Sequence, residues 1–321
     1  MHPPCDFRTV AGGLSRRPPS PVEVVQVALV VGTHSGTFHA DDVLAFAMIR
    51  RFVDPDAQVI RTRERADLLA CDIVIDVGGE FDPEKLRFDH HQGTYRGPRS
   101  SAGMILDWLE GQATVDHDLA TLLRARMVDY IDAVDTGREA PRTDVPCFAR
   151  IVEAMGQGLE TAEQHHDAFL RAADVARTVL DGLVRGFVEV RENRDVVLRA
   201  MQAAVDAKRS VICFDRYVPW KPVYFENGGE THPTDYVLFP SEDETWKLVA
   251  IPPSIGQFEQ KRPLPDSWAG KLADELEAAT GVKGSLFCHK NRFIAVFETS
   301  DGAVDALKRF GLYEVQAAPD A

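Results

Sequence analysis

Asp89-His90-His91 is a carboxylate and imidazole triplet at the end of a short apolar stretch. His34, His39 and Asp41 stand upstream of it, and Asp76 closes the intervening run DIVIDV. Carboxylates bind hard divalent cations through oxygen, and imidazoles suit borderline ions. A mixed set of this kind at strand ends points to a metal-dependent hydrolase. His39 and Asp41 are two apart, so in extended chain they point the same way. His34 and His39 are five apart, which fits a loop that doubles back better than one helical face. Asp76 ends an apolar strand, where a buried carboxylate is costly unless paired or metal-bound. That cost largely disappears if it bridges two cations about 3.5–4 Å apart.

Each motif also has a plainer reading. Asp41 could simply cap the next helix, Asp76 could accept from the Gly78-Gly79 turn, and a His-His pair could be solvated. His165-His166, on a polar helical stretch, reads as such a surface pair. Further on, VDYIDAVDTG carries Asp129, Asp132 and Asp135 near a helix end. Asp135, just before Thr136-Gly137, is best placed to enter a cleft; Asp132 is the second choice, and an acidic helix face is the plainer alternative. For phosphate binding, the carboxyl-terminal third offers Lys221 and a basic turn with Lys283, His289, Lys290 and Arg292. A solvated hairpin would look the same.

The elements that must position these residues follow from periodicity. Val24–Val31 (VVQVALVV) reads as a strand buried on both faces, and Val43, Leu44, Phe46, Ala47 and Ile49 recur at helical spacing after it. Short strands are expected at 58–61, 72–77 and 86–88, then helices from Ser100-Ser101 and over 119–134. This alternation predicts an open parallel sheet with ligands at the carboxyl ends of its strands. Residues 161–207 predict a long helical linker interrupted at Gly182 and Gly186. Beyond it, strands at 211–214, 236–239, 246–251, 285–288 and 293–297 with helices at 267–279 and 303–310 predict a smaller α+β domain. The expected organisation is a tail over 1–25, an α/β metal-binding catalytic domain over 26–207, and a substrate-binding domain over 208–321.

Composition sets the bounds. The 321 residues are 45% hydrophobic and 27% charged, as in ordinary globular chains. Five scattered cysteines without a C-x-x-C pair indicate neither a disulfide framework nor a structural zinc site, and point to a reducing compartment, the cytoplasm. The Pro- and Gly-rich first 25 residues read as a disordered tail, and no run is long and apolar enough to cross a membrane. A formal charge of −14 disfavours broad adhesion to a polyphosphate, so a nucleic acid would be gripped locally.

In this order, GTHSGTFHADD, DIVIDVGG, RFDHHQ, SSAG and VDYIDAVDTG resemble the DHH phosphoesterase superfamily, and within it the melanocyte proliferating gene branch. WKLVAIPPS and SLFCHKNRFIAVFET are similar to that branch's carboxyl-terminal half, so the likeness covers nearly the whole chain. The resemblance implies a DHH-type fold with two manganese-like ions between its domains. By it, His34, His39 and Asp76 hold one ion, Asp41, Asp76, His90 and Asp135 the other, and Asp76 is the bridge. His91 would contact the scissile phosphate and Asp89 orient a ligand. His39 stands where the superfamily's usual first motif has Asp, which moves the metal preference towards Mn, Fe, Co or Zn and away from Mg. The GGG-type substrate loop of other DHH phosphodiesterases is not found; Gly228-Gly229 is the nearest piece.

The expected activity is that of a metal-dependent phosphodiesterase, a 3'-to-5' exonuclease on RNA or short oligonucleotides, in which a water shared by two cations attacks phosphorus in line. Hydrolysis of pyrophosphate or dinucleotides by the same centre is the alternative. A non-catalytic, metal-stabilised binding module is the third reading.

Overall fold

The computed structural model describes residues 28–315. The expected tail at 1–25 lies outside the described residues. The amino-terminal half runs β1 (Val30–Thr33), α1 (Ala40–Phe52), β2 (Gln58–Arg61), α2 (Arg65–Ala70), β3 (Ile73–Ile75), β4 (Phe81–Asp82) and β5 (Arg87–Phe88). Helices α3 (Ser101–Gly111), α4 (His117–Leu123), α5 (Asp129–Asp135) and α6 (Phe148–Met155) follow. A π-helical turn over Arg124–Val128 joins α4 to α5, so the helix expected over 119–134 is present with one wide turn in it.

The strands form one sheet in the order β2-β1-β3-β5-β4. Four of them are parallel, as alternation with helices requires, but β4 runs antiparallel to β5 at the edge. The sheet is therefore mixed, which corrects the all-parallel expectation. The reason is local: only the 3-10 turn Pro83–Lys85, capped by Asp82, separates β4 from β5, and so short a link closes a hairpin, not a crossover. The first strand is present from Val30, paired with β2 from Gln58 and with β3 from Ile73, and residues 24–27 of the expected run lie outside the described residues. Val31, Ile73, Ile75 and Phe88 face a large core shared with α1, α3 and the long helix that follows α6, whereas Val74 and Val77 meet Leu68 and Cys71 on the other face. Over Ile73, Val74 and Ile75 that period-two division is what a strand sandwiched between layers produces, and Val77 falls outside it because the left-handed Asp76 interrupts the extended backbone.

Helix α7 (Ala162–Asp206) runs unbroken through Gly182 and Gly186 for 45 residues, roughly 68 Å at 1.5 Å per residue. Its first half buries Ala168, Phe169, Ala172, Ala173, Ala176 and Leu180 in the amino-terminal core. Its last turns bury Val197, Met201 and Ala204 in a second cluster with Ile212, Val237 and Phe239. The second sheet comprises β6 (Val211–Cys213), β7 (Tyr236–Pro240), β8 (Trp246–Ala250), β9 (Ser285–Cys288) and β10 (Ile294–Phe297), ordered β6-β7-β8-β10-β9. Helix α8 (Trp220–Glu226) follows β6, while α9 (Ala273–Thr280) and α10 (Ser300–Arg309) flank the β9–β10 hairpin. The helix expected at 267–279 starts only at Ala273, because Asp266–Trp268 forms a separate 3-10 turn that buries Trp268. Helices α2, α6 and α8, which are short, were not legible from periodicity.

One contact ties α3 to α5. The buried Asp132 carboxylate accepts from Ser100 N at 3.0 Å, Ser100 Oγ at 2.8 Å and Gly103 N at 3.1 Å, capping the start of α3. A Cβ at Gly103 would stand 2.2 Å from Asp132 Oδ2. Gly103→Ala is accordingly expected to cost about 1–3 kcal/mol through overpacking. Urea unfolding checks it, with Gly111→Ala, where a Cβ meets open space, as the control.

Candidate metal centre

The carboxyl end of β1 leads into the loop that carries His34 and His39. Arg61, last in β2, donates to Gly36 O at 2.7 Å, and its guanidinium lies over the rings of Phe38 and Phe169. The loop is thus anchored at its tip. His39 then becomes the N-cap of α1, and the partner in its capping box is Asp42, whose Oδ1 accepts from His39 N at 2.9 Å. That assignment removes the plainer reading of Asp41 as the helix cap. Asp42 does the capping, and Asp41 is left fully buried with neither carboxylate oxygen hydrogen-bonded.

Asp76 follows β3 with φ 55°, a left-handed conformation that aspartate tolerates better than most residues. Gly78 and Gly79, also at positive φ, complete the turn. The Asp76 side chain is buried and central. Its Oδ2 lies 3.2 Å from His34 Nε2, and its Oδ1 lies 3.2 Å from His90 Nε2. Ser101, first in α3, donates to Phe88 O at 2.9 Å and reaches Asp76 Oδ1 at 3.4 Å. His90 also meets Asp135 Oδ2 at 2.9 Å. Since Asp132 is committed to capping α3, Asp135 is the carboxylate of α5 that enters the site.

Three sets have ligand atoms within 4.8 Å of one another: His34, His39 and Asp76; Asp76, His90 and His91; and Asp41, Asp76, His90 and Asp135. Asp76 belongs to all three. The buried His34 Nε2, His90 Nε2 and Asp76 Oδ2 approach their neighbours without the alignment of a hydrogen bond, as donor atoms aimed at metal would. Both orphaned oxygens of Asp41 fit the same need, because an unpaired buried carboxylate is costly. The donor set therefore fits divalent metal.

Asp89 has a different task. It accepts from Gly79 N at 2.6 Å and from His91 N at 3.1 Å, and its Oδ1 lies 2.8 Å from His91 Nδ1. The His91 ring, 60% exposed, is oriented by that carboxylate, and among the described residues its Nε2 has no partner. Both residues line a cavity of about 260 Å³ together with His34, His39, Arg63, Asp76, Val77 and Gly78.

Burial and mutual repulsion shape the charges. Burial pushes the Asp41 carboxyl well above its usual range, and Asp76, Asp135 and Asp42 push it further. Burial also lifts Asp42 to about 7, against the opposing pull of His34. For His90 burial favours the neutral ring, but Asp135 and Asp76 outweigh it and raise the imidazole to about 10. His34 is raised in the same way against its burial by Asp76 and Asp42. Burial favours a protonated Asp76, yet His34 and His90 overcome it and hold the carboxyl below its usual range.

The profile of the Uncharacterised protein family UPF0160, MYG1 exonuclease type, matches residues 30–309. The chain belongs to the MYG1 family. It is 38% identical over 287 residues to the MYG1 protein of Chlamydia trachomatis, a match covering 88% of this chain and 96% of that one. It is 30% identical over 314 residues to the human MYG1 exonuclease, covering 85% and 83% of the two chains. A solved structure from Helicobacter pylori G27 aligns at a TM-score of 0.26 with 10% identity, too faint a likeness to carry an argument.

The residues proposed for the substrate lie elsewhere in the MYG1 chain. Lys221, at the start of α8, stacks its ammonium over Trp220. In the β9–β10 turn, His289 lies against Phe293 and accepts from Asn291 N, and Lys290 is exposed. Arg292 donates to Leu264 O and pairs with Asp266 at 2.6 Å. None of the four belongs to the three ligand sets or to the cavity wall. The sequence reading overlooked Arg61, Ser101 and the capping duty of Asp132. Only the SSAG motif, with two hydroxyls ahead of a helix, carried a local signal for any of them.

The proton balance yields a test. Asp41 stabilises the metal-free fold while protonated, and that contribution is lost as pH rises from 3.8 through its raised folded value. The His90 contribution is present below 6.5 and is lost as pH approaches about 10. Both slopes have one sign, so stripped protein should lose Tm steadily on going from neutral to alkaline pH. Mn²⁺ should raise Tm and flatten that slope, because it takes the place of the protons. Calorimetric scans across pH, with and without metal, check this. Asp41→Asn should raise the Tm of stripped protein and remove the metal response; a full response in that variant excludes Asp41 as a ligand.

Proposed function

We propose that this chain is a metal-dependent phosphodiesterase of DHH type, acting as a 3'-to-5' exonuclease on RNA or short oligonucleotides. The observation that carries the reading is Asp76, a buried carboxylate shared by every ligand set. The exonuclease named among its MYG1 relatives supports a nucleic acid substrate. The proposed division of labour is a catalytic domain over 26–207 and a substrate-binding domain over 208–321, with α7 between them.

His34, His39 and Asp76 would hold one divalent ion, and Asp41, Asp76, His90 and Asp135 the second, with manganese favoured by the mixed imidazole and carboxylate set. When bound, such a pair supplies an acidified water and compensation for phosphate charge. The chain's own residues do the rest. Asp76 fixes the two ligand groups relative to each other from a single strained residue after β3. Asp89 holds Nδ1 of His91, so that Nε2 can donate to a phosphate oxygen in the cavity. Lys221, His289, Lys290 and Arg292 are proposed to grip the rest of the substrate.

A second reading has one observation in its favour. The cavity of about 260 Å³ and the charge of −14 suit a small phosphate compound, pyrophosphate or a dinucleotide, at the same centre. A binding module without turnover is the third. No helix of the described residues is long and apolar enough to cross a membrane. Cys71, Cys147, Cys213 and Cys288 are free thiols, which supports the proposed cytoplasmic setting.

Stripped protein given Mn²⁺ and a 5'-labelled short RNA should produce a ladder of single-nucleotide losses from the 3' end. Release of phosphate from pyrophosphate with intact RNA selects the second reading, and no turnover on either selects the third. Asp76→Asn and His90→Ala should each lower kcat at least 100-fold while the far-UV spectrum stays that of the parent. Near-parental turnover in either variant sinks the two-metal assignment.

A further inference from the structure

The loop after β2 puts a guanidinium into the wall of the same cavity. Arg63 lines it beside His34, His39, Asp76 and His91. Among the described residues Arg63 is exposed and takes part in no hydrogen bond or ion pair. Its neighbour Arg61, by contrast, is fixed on Gly36 O. Several other arginines of this half are also committed: Arg50 to Asp174, Arg51 to Asp181, and Arg99 to Asp129 and Asp132. Arg65, Arg126, Arg171 and Arg185 are also unpaired among the described residues, so what sets Arg63 apart is its place in the cavity wall.

The carboxylates in the same wall do not supply its partner. Asp76 is engaged by His34 and His90, and Asp89 by His91 and the Gly79 amide. An anion entering the cavity would therefore meet a guanidinium with no competing protein partner. A planar guanidinium fork matches two oxygens of a phosphate group.

We propose that Arg63 is a substrate-binding residue that engages the non-bridging oxygens of the scissile phosphate, a role resting on the phosphodiesterase reading above. Negative charge on those oxygens grows towards the transition state of in-line attack, so Arg63 contributes more there than in the ground state. Its preference is for a phosphoryl group as such, independent of base.

The experiment compares wild-type, Arg63→Ala, Arg63→Lys and Arg65→Ala proteins, each loaded with Mn²⁺. Three quantities are measured: bound metal, calorimetric affinity for inorganic phosphate, and hydrolysis of a short RNA. Arg63→Ala should keep its full metal content, bind phosphate about tenfold more weakly, and lose about 100-fold in kcat/KM, mostly in kcat. Arg63→Lys should fall between, because it keeps the charge without the fork, and free guanidinium should partly restore Arg63→Ala. Arg65→Ala, on exposed α2, should match wild type. Wild-type phosphate affinity in Arg63→Ala overturns the proposal, as does loss of metal from both Arg63 variants. A wild-type protein that binds phosphate through Arg63 but leaves RNA intact upholds the Arg63 site and removes the nuclease reading instead.

Discussion

Asp41 is held at zero exposure with both carboxylate oxygens unbonded, a few ångströms from Asp76 and Asp135. Elementary electrostatics opposes that arrangement: burial disfavours the charge, and three neighbouring carboxylates repel one another. Two histidines, His34 and His90, relieve part of the repulsion by meeting Asp76 from opposite oxygens. Asp41 has no such partner, and in the metal-free protein its raised affinity for a proton is what relieves it. The surrounding structure must therefore be rigid enough to hold groups that repel, and much of the amino-terminal half can be understood as the frame that does so.

That frame works by giving each neighbouring polar group one task. Asp42 caps α1 and frees Asp41; Asp132 caps α3 and frees Asp135; Asp89 fixes His91 and leaves His90 to the site. In the two carboxylate pairs, adjacent or nearly adjacent residues divide helix capping from a place among the candidate ligands. Ser101 and Arg61 add the cross-links, one between α3 and the turn after β3, the other between β2 and the β1 loop. Helix α1, buried almost throughout between α3 and α7, supplies the mass against which these contacts hold.

Strain is stored where it is useful. The left-handed backbone at Asp76, costing about 1–3 kcal/mol for a residue with a side chain, turns the carboxylate inward beside the strand ends. A residue in the extended conformation there would continue the strand and carry its side chain to a face of the sheet. The two following glycines accept the reversal that brings Gly79 N onto Asp89.

The sequence by itself determined the strand and helix alternation, the long α7, and five of the strands of the second half to within a residue or two, because hydrophobic periodicity is a local property. It also determined the cluster of ligand types, since THSGTFHADD, DIVIDV and DHH announce themselves by composition. Tertiary structure alone decided which member of each ambiguous pair enters the site. Asp132 and Asp135 are both plausible on a helix, and only the approach of Ser100, Gly103 and Arg99 shows that Asp132 is taken. The same holds for the antiparallel edge strand β4, two residues long and too short for any periodic signal. Hydrogen bonds between segments distant in the chain leave no pattern in either segment, and such bonds made these choices.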